Sequence, residues 1–341
     1  MKKEIQILST FDLTKEQQER LLKVSDRVKL TVIPASDPAD IPDERWAEAD
    51  VLYTWDVLPE PEKAPMLKWV QLGSAGVDPF LELPLLTRDD LLLTSMSGAI
   101  VSQIAEYVVM ALLALGHQLP KMARDQSEHL WPGQKEKWAA YLPLELRHST
   151  VGILGYGSIG RQVARLLQPF GAEVLAAKRD VMHPEDLGYV PEGMGDPHGD
   201  FFNRLYPMEA LHSLLSACDF VVVALPLTDE TQHIIDAAAF EAMRKTAYLV
   251  NVGRGALIDE DALVEALKAG KIAGAALDVF EEEPLPEDSP LWDLENVIIS
   301  PHVSGLSRHL QDDTLTLFVE NVNRYLAGLP LHSQVDLQKG Y

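Results

Sequence analysis

The sequence has almost no cysteine and no long uninterrupted hydrophobic run. Cys218 is the single cysteine among 341 residues, so no disulfide can form within the chain, and the thiol is predicted to be inert packing. No apolar stretch reaches the roughly 18 residues that a membrane-spanning helix needs. The lysines near Met1 have no apolar run behind them, unlike those of a signal peptide. These absences predict a cytoplasmic protein without a membrane partner.

Basic residues are also scarce. Lysine and arginine number 29 against 52 aspartate and glutamate residues, which gives a net charge of −23. Such a surface repels the phosphates of nucleic acids and of anionic membranes, so neither is expected as a partner. It would also repel an anionic substrate at long range, which means that any carboxylate substrate needs a local positive group.

Short apolar segments alternate with helical ones along the whole chain, which predicts parallel β-sheets covered by helices, an α/β fold. The strands expected in the first third are Glu4–Leu8, Lys29–Ile33, Val51–Thr54, Lys68–Leu72 and Leu91–Thr94. A second series comprises Val151–Leu154, Glu173–Ala177, Phe220–Leu225, Tyr248–Val252, Gly274–Val279 and Val297–Ser300. Two parallel-sheet domains follow from this division.

Three helices have recognisable ends. Thr14 is a plausible N-cap for a helix over Lys15–Val24. A long apolar helix is predicted over Val101–Leu115, with Pro120 as its end or a kink. A last helix is predicted over Ser304–Leu326, where Gly328 is a stop signal. After the second strand of the second series, Gly188–Pro207 is rich in Gly, Pro and Asp and predicts a long loop.

A glycine-rich segment marks a dinucleotide site. Gly155-Tyr156-Gly157-Ser158-Ile159-Gly160 follows an apolar strand and precedes a helix, which is the context that this motif requires. Gly155 permits the tight turn, Gly157 lets a pyrophosphate approach the backbone, and Gly160 lets helix and strand pack closely. The helix N-terminus then faces the phosphates.

The end of the next strand bears on the choice of cofactor. NAD enzymes usually place an acidic residue there for the ribose 2′-hydroxyl, whereas this chain has Lys178-Arg179-Asp180. Two cations fit a 2′-phosphate, so NADP is preferred over NAD. Asp180 lies about two residues late, and a solvated Lys–Arg pair beside bound NAD is the alternative.

Three later strand ends carry polar residues. Arg254 lies between two glycines, Glu281–Glu283 is a run of carboxylates, and His302 follows a proline. Reduction of a 2-oxo acid needs a guanidinium for the carboxylate and a proton donor for the carbonyl oxygen, usually histidine. A carboxylate beside that histidine favours imidazolium. Chemistry alone leaves open which glutamate acts. No cluster of histidine, cysteine and aspartate has metal-ligand spacing, so no metal is expected.

These segments together resemble the D-isomer-specific 2-hydroxyacid dehydrogenase family, which includes glyoxylate/hydroxypyruvate reductases and phosphoglycerate dehydrogenases. The resemblance spans almost the whole chain. It rests on the glycine motif, Pro226-Leu227-Thr228, Asn251-Val252-Gly253-Arg254-Gly255, Asp278-Val279-Phe280, Glu283-Pro284-Leu285 and Pro301-His302.

The resemblance implies a role for individual residues. Arg254, Glu283 and His302 become the catalytic trio, with Glu283 chosen because it precedes Pro-Leu. The backbone of Ser74, Ala75 and Gly76 would hold the substrate carboxylate together with Arg254, and Asp278 would bind the nicotinamide amide. Tyr53, Trp55 and Trp138 are candidates for the pocket wall, and Ala105-Glu106 matches a family position. With the motif and the two cations, the predicted cofactor contacts are Gly155, Tyr156, Gly157, Ser158, Ile159, Gly160, Lys178, Arg179, Leu225, Pro226, Thr231, Val252, Gly253, Asp278, His302 and Gly305.

The resemblance also implies an architecture and an activity. Two Rossmann-like, doubly wound parallel-sheet domains are expected: a discontinuous, flavodoxin-like substrate domain over 1–100 and 304–341, and a dinucleotide-binding domain over 101–303. Similar enzymes are homodimers, with an arm around Pro120–Trp138 at the interface. The activity implied is hydride transfer between NAD(P)H and a small 2-oxo or 2-hydroxy acid. An NAD(H)-sensing, corepressor-like binding protein and a dehydrogenase of another small anion such as phosphite remain as alternatives.

Overall fold

The computed structural model describes residues 4–341. The chain forms two compact units, one built from the residues up to Ile100 together with Ser307–Tyr341 (unit 1) and the other from Val101–Leu306 (unit 2). Each unit contains one all-parallel sheet, which confirms the predicted fold class. Within residues 4–341, no helix combines the length and the apolar character needed to cross a membrane, and no three His, Cys, Asp or Glu side chains cluster as metal ligands.

Unit 1 contains a five-stranded sheet in the order β2-β1-β3-β4-β5. This is the flavodoxin-like order, in which the first strand lies at the switch point. Its strands are β1 (Ile5–Ser9), β2 (Val28–Val32), β3 (Val51–Thr54), β4 (Trp69–Leu72) and β5 (Leu92–Thr94). Most of their residues are buried, because helices cover both faces of a parallel sheet.

Three helices belong to unit 1: α1 (Lys15–Leu22), α2 (Asp43–Glu48) and α10 (Leu310–Ala327), numbered along the whole chain. The expected cap of α1 is present, since the Thr14 hydroxyl accepts from the Gln17 N–H and the Gln17 side chain accepts from the Thr14 N–H. The prediction that the last helix begins at Ser304 was wrong by six residues. The Ser304 N–H donates to the Asp278 carboxylate instead of entering a helical turn.

Unit 2 contains a seven-stranded sheet in the order β12-β11-β10-β9-β6-β7-β8. Counted from β6, this is the dinucleotide-fold order 3-2-1-4-5-6 with one further strand. Its strands are β6 (Thr150–Leu154), β7 (Glu173–Ala177), β8 (Arg204–Tyr206), β9 (Phe220–Val223), β10 (Tyr248–Asn251), β11 (Gly274–Leu277) and β12 (Val297–Ile299).

The helices of unit 2 include two that the sequence interpretation did not anticipate after the long apolar one. They are α3 (Val101–Gly116), α4 (Leu119–Ser127), α5 (Gln134–Ala140), α6 (Ser158–Leu167), α7 (Leu211–Leu215), α8 (Ala237–Ala242) and α9 (Glu260–Lys268). The break after α3 lies at Gln118, which is left-handed with φ 59°. Pro120 therefore does not end a helix but lies in the first turn of α4, where a missing N–H is tolerated.

The prediction that all of Gly188–Pro207 is a loop was wrong, because the segment contains β8 near its end. Arg204 and Tyr206 of this strand pair in parallel with Leu175 and Ala177 of β7. A three-residue strand at a sheet edge lacks the apolar run that identified the other strands, which explains why the pattern missed it.

Cys218 lies in the core of unit 2. It is fully buried, its thiol donates to the Leu214 carbonyl at 3.1 Å, and a Cβ placed on Gly152 of β6 would lie 2.5 Å from its sulfur. Burial raises the pKa of the Cys218 thiol to about 12. The thiol is thus a packing group under β6.

Candidate active site

Three neighbouring strands of unit 2 end at one edge of the sheet. Asn251 of β10 pairs with Leu277 of β11, and Leu277 pairs with Ile299 of β12. Because the strands are parallel, the segments that follow them leave the sheet at the same edge, where ligands bind in open α/β sheets. Arg254 and His302 each follow their strand by three residues. The sheet therefore delivers both predicted segments to its carboxyl edge.

The imidazole of His302 contacts the carboxylate of Glu283. Nδ1 and Oε2 lie 2.8 Å apart, and the two side chains are 49% and 36% exposed. An ionised carboxylate only accepts hydrogen bonds, so Nδ1 carries a proton. The other ring nitrogen, Nε2, is then the atom that can exchange a proton with a substrate.

The segment that carries Glu283 is tied down at several points. The Phe280 N–H donates to the other Glu283 oxygen at 3.0 Å. The Glu281 N–H donates to Glu260 at 2.6 Å, and the Glu281 carboxylate lies 2.9 Å from His233. Burial raises the pKa of Glu260. Glu281 is thus engaged elsewhere, and of these two glutamates Glu283 is the one that meets His302.

Asp278 holds the loop that presents His302. Its carboxylate is fully buried and accepts from the Ser300 hydroxyl at 2.6 Å and from the N–H groups of Val303 and Ser304, each at 2.9 Å. The His302 N–H donates to the Asp278 carbonyl at 2.8 Å. His302 has φ 52°, a conformation that non-glycine residues adopt only when their surroundings enforce it. The predicted contact of Asp278 with the nicotinamide amide stays a prediction.

A tyrosine on α3 extends this network. The Tyr107 hydroxyl lies 2.6 Å from Ser300 Oγ. Because Ser300 gives its only proton to Asp278, Tyr107 must be the donor. Burial raises the pKa of Tyr107, which keeps the phenol protonated. No sequence pattern predicted this contact, although the family resemblance includes the preceding pair, Ala105 and Glu106.

Arg254 lies in a loop that presses on the segment of Glu283. Its Nη1 donates to the Gly253 carbonyl at 2.9 Å, and its own carbonyl accepts from the Asn251 amide at 2.8 Å. A Cβ on Gly255 would overlap the carbonyl group of Phe280. Glycine at 255 therefore allows two of the three functional segments to touch, and the Arg254 side chain is left partly exposed.

The glycine loop after β6 has the geometry that a pyrophosphate requires. Gly155 has φ 98°, and a Cβ there would lie 2.5 Å from the Ala224 carbonyl oxygen. A Cβ on Gly160 would overlap the Gly155 carbonyl, but one on Gly157 would meet nothing within 4 Å. Close packing thus explains why glycine is needed at 155 and 160. It does not explain Gly157, which lies at the N-terminus of α6. The open space there, beside helix N–H groups, fits a bound phosphate.

The other predicted cofactor residues surround this loop. A Cβ on Gly253 would lie 2.9 Å from the Leu225 carbonyl oxygen, which places the segment after β10 against the segment after β9. The Thr231 hydroxyl donates to the Pro226 carbonyl at 2.7 Å and fixes the turn that follows. Val252, directly after β10, is buried. These residues converge at the carboxyl edge of β6, β9 and β10.

Three further residues of the predicted set differ in exposure. Ser158 and Ile159, the first residues of α6, are partly exposed. The Tyr156 side chain is buried, and its hydroxyl donates to Asp196 at 2.6 Å, so it packs within the unit. The Gly305 carbonyl accepts from the Gln103 amide at 3.2 Å.

The cations after β7 both have partners. Lys178 Nζ donates to the His183 carbonyl at 2.6 Å, and burial lowers the pKa of this lysine. Arg179 forms an ion pair with Glu230 at 2.8 Å. The Asp180 carboxylate oxygen Oδ2 lies 2.7 Å from His183 Nδ1. The charges that were predicted to select the cofactor thus form a connected surface cluster.

The predicted substrate loop belongs to unit 1. The Ser74 hydroxyl donates to the Gly76 carbonyl at 2.9 Å, and the Ser74 carbonyl accepts from Met96 at 2.8 Å. A substrate contact of Ser74–Gly76 stays a prediction. Tyr53 does not form a pocket wall, because it is fully buried in the core of the unit.

Comparison with known protein families gives one match to unit 2. The model of the D-isomer-specific 2-hydroxyacid dehydrogenase NAD-binding domain matches residues 109–304. This range contains the glycine loop, Arg254, Glu283 and His302. The match therefore covers the whole carboxyl edge described above.

Individual proteins are similar over most of the chain. A glyoxylate reductase of Thermofilum pendens is 34% identical over 270 residues, which is 78% of this chain and 74% of the relative. A D-isomer-specific 2-hydroxyacid dehydrogenase of Xanthobacter autotrophicus, solved with NADPH and MES, has a TM-score of 0.79 and 28% identity, covering 99% of this chain and all of the other. An NADPH-dependent glyoxylate/hydroxypyruvate reductase of Sinorhizobium meliloti, solved with NADP and sulfate, has a TM-score of 0.78 and 27% identity with the same coverage.

Proposed function

Because the chain belongs to the D-isomer-specific 2-hydroxyacid dehydrogenase family, we propose that it transfers a hydride between NADPH and a small 2-oxo or 2-hydroxy acid. Its class, an NAD(P)-dependent 2-hydroxyacid dehydrogenase, follows from that membership. The observation that carries the finer proposal is the 2.8 Å contact of His302 with Glu283 at the edge where the dinucleotide loop also lies.

In the proposed reaction, His302 is the general acid and base. A dinucleotide bound at the glycine loop supplies the hydride. His302 Nε2 gives a proton to the carbonyl oxygen during reduction and takes it back during oxidation. Glu283 stabilises the imidazolium and fixes the ring through Nδ1. Asp278 holds the backbone of His302 in place.

Arg254 is proposed as the clamp for the substrate. A guanidinium can bind a carboxylate through two parallel hydrogen bonds, and it also stabilises negative charge developing on the neighbouring carbonyl oxygen. On a protein with a net charge of −23, such a local cation is what an anionic substrate needs.

NADPH is proposed as the preferred cofactor. Lys178 and Arg179 stand directly after β7, where NAD enzymes usually place a carboxylate. Two structural relatives were solved with NADPH or NADP. Both observations support a site for the 2′-phosphate.

The test is a turnover panel with two arms: reduction of glyoxylate and hydroxypyruvate with NADPH or NADH, and oxidation of phosphite with NADP+ or NAD+. We expect reduction of a 2-oxo acid with a lower KM for NADPH. His302→Ala should lower kcat by about 100-fold or more, the usual effect of a general acid, and Arg254→Ala should raise the KM of the 2-oxo acid. Turnover of phosphite alone would contradict the proposal, and so would tight dinucleotide binding without any turnover, which is the behaviour of a nucleotide sensor.

We further propose a homodimer. The arm formed by α4 and α5 exposes large apolar side chains, among them Trp131 at 87% and Trp138 at 64%. Exposed apolar surface of this kind is typical of an interface. Light scattering should give twice the mass of the 37.8 kDa chain, and a monomer at micromolar concentration would contradict this.

A further inference from the structure

The segment between β7 and β8, residues 178–203, is called the insertion below. It is fixed to the dinucleotide unit by a buried arginine. Arg161, in α6, is 1% exposed. It donates to the carbonyl oxygens of Asp196 at 2.6 Å and Pro184 at 2.5 Å, and its Nε lies 3.5 Å from Asp186. A buried guanidinium bound to two carbonyl groups holds the insertion on α6 at two points.

A second anchor uses a buried carboxylate. Asp196 accepts from the Tyr156 hydroxyl at 2.6 Å and from the N–H groups of Asp200 and Phe201 at 2.8 and 3.0 Å. The Gly195 N–H donates to the Gln162 side chain at 2.7 Å. The segment is therefore an ordered extension of the unit.

This extension places one imidazole at the end of β7. His183 precedes the anchored Pro184, and its carbonyl accepts from Lys178, the first residue after the strand. The His183 ring is 78% exposed, and its Nδ1 lies 2.7 Å from Asp180. The insertion thus adds a titratable ring beside the two cations that stand where a 2′-phosphate is expected.

The charges around this ring explain why an added cation matters there. Arg179 is paired with Glu230, and Lys178 is bound to a carbonyl. Asp180 would repel a phosphate if it stood alone. Its hydrogen bond with His183 lowers the pKa of Asp180, so this carboxyl stays ionised beside the expected phosphate. The other charged groups facing the cluster are Arg161, Glu185 and Asp186.

We propose that His183 is a cofactor-specificity residue, whose imidazolium neutralises Asp180 and contacts the 2′-phosphate of NADP(H). The inference rests on the proposed use of NADPH. Histidine gains its charge between about pH 5 and pH 8, so the preference for a 2′-phosphate falls as the pH rises. With neutral His183, Asp180 regains its repulsion of the phosphate and can accept from the hydroxyl of an NADH ribose instead.

The test measures binding without turnover. Adenosine 2′,5′-bisphosphate and AMP differ only at the 2′-phosphate and report on the same subsite, and calorimetry gives both Kd values at pH 6.0 and pH 8.5. The variants are His183→Gln, which removes the charge, and His183→Lys, which keeps it at both pH values. The control is His198→Gln, an exposed histidine of the same insertion.

We expect His183→Gln to weaken binding of the bisphosphate about five- to tenfold at pH 6.0, the effect of one exposed charge-assisted hydrogen bond, and to change AMP binding less than twofold. His183→Lys should bind the bisphosphate as tightly as the wild type at pH 6.0, and its affinity should not fall toward pH 8.5. The phosphate itself titrates near pH 6, but it does so in every variant, so the difference between variants isolates His183.

Two outcomes would overturn the inference in different ways. If His183→Gln binds the bisphosphate as tightly as the wild type at both pH values, His183 has no role in specificity, while the reductase proposal stands. If the wild type binds AMP and the bisphosphate equally, the NADPH preference fails, and the role of His183 fails with it. Turnover of 2-oxo acids in the panel above is independent of both.

Discussion

At the scale of single residues, identity matters most where two segments meet within hydrogen-bond distance. Glu283 and Glu281 are two positions apart, yet one carboxylate contacts His302 and the other contacts His233. The two glycines Gly157 and Gly255 also look alike in sequence, but one faces open space and the other is pressed against Phe280. Substitutions at the two members of each pair should therefore have different effects.

Glu283→Gln should move the pH optimum of reduction to lower pH. The carboxylate stabilises an imidazolium through a charge-assisted hydrogen bond, and the neutral amide does so less well. The measurement is the pH profile of kcat/KM for the 2-oxo acid.

The matched control is the neighbouring Glu282→Gln, at an exposed position between the two engaged glutamates. Its profile should coincide with that of the wild type. The same displacement in both variants would show a general charge effect and would argue against a specific partnership of Glu283 with the imidazole.

Gly157→Ala should weaken the dinucleotide and leave the free protein equally stable. A methyl group there meets no protein atom within 4 Å, but it fills the space at the start of α6. We expect the Kd of NADPH to rise by about tenfold or more, because the phosphate loses its close approach to the backbone. Gly160→Ala, whose methyl group would overlap the Gly155 carbonyl, should instead lower the Tm without ligand. Equal Tm losses in the two variants would refute this division.

At the scale of elements, the insertion behaves as part of α6 and β7. Asp196 is buried, and although burial itself opposes ionisation, the hydrogen bonds from Tyr156, Asp200 and Phe201 lower the pKa of Asp196 overall. A carboxyl whose pKa is lowered by folding stabilises the fold above its ordinary pKa. That contribution is lost as the pH falls through the lowered value.

Asp196→Asn should therefore destabilise the protein most at neutral pH. The expected loss is about 1–3 kcal/mol at pH 7, the penalty for a disrupted buried hydrogen-bond group. The gap to the wild type should narrow as the pH falls below about 4, where the unfolded chain takes up the proton, toward the lowered pKa of the folded protein. Thermal unfolding at several pH values measures it, with the exposed Asp200→Asn as control. A gap that stays constant down to pH 3 would count against the ionised state of Asp196.

How much of this could be predicted from the sequence depends on how local each signal is. Eleven of the twelve described strands were predicted to within a few residues because each is a mainly apolar run, β8 being the exception. The cap of α1 depends on two residues only three positions apart, Thr14 and Gln17. The anchor of the insertion joins Arg161 to Asp196 across 35 residues, and Arg179 meets Glu230 across 51. No periodicity connects such pairs. The Tyr107–Ser300 contact, across 193 residues, was hidden for the same reason.

At the scale of the whole molecule, two sheets of different strand order occur in one strongly acidic chain. The chain passes out of unit 1 after Ile100 and returns to it at Ser307. All predicted catalytic residues lie in unit 2, and the predicted carboxylate loop lies in unit 1. The two units can thus be studied separately, each by a measurement that responds to that unit alone.

The solitary thiol provides such a measurement for unit 2. Cys218 is buried against Gly152 of β6, the strand that leads into the nucleotide loop, so an aromatic disulfide reagent can reach it only when unit 2 opens. Where closing is faster than labelling, a ligand that binds only the closed form slows the reaction by one plus the ratio of its concentration to its Kd. NADPH at 100 times its Kd should slow labelling about 100-fold. A labelling rate that does not change with NADPH would mean that the thiol becomes accessible without disturbing the nucleotide site. The labelling rate of this one buried thiol therefore reports the affinity of the cofactor, without added dyes, tags or turnover.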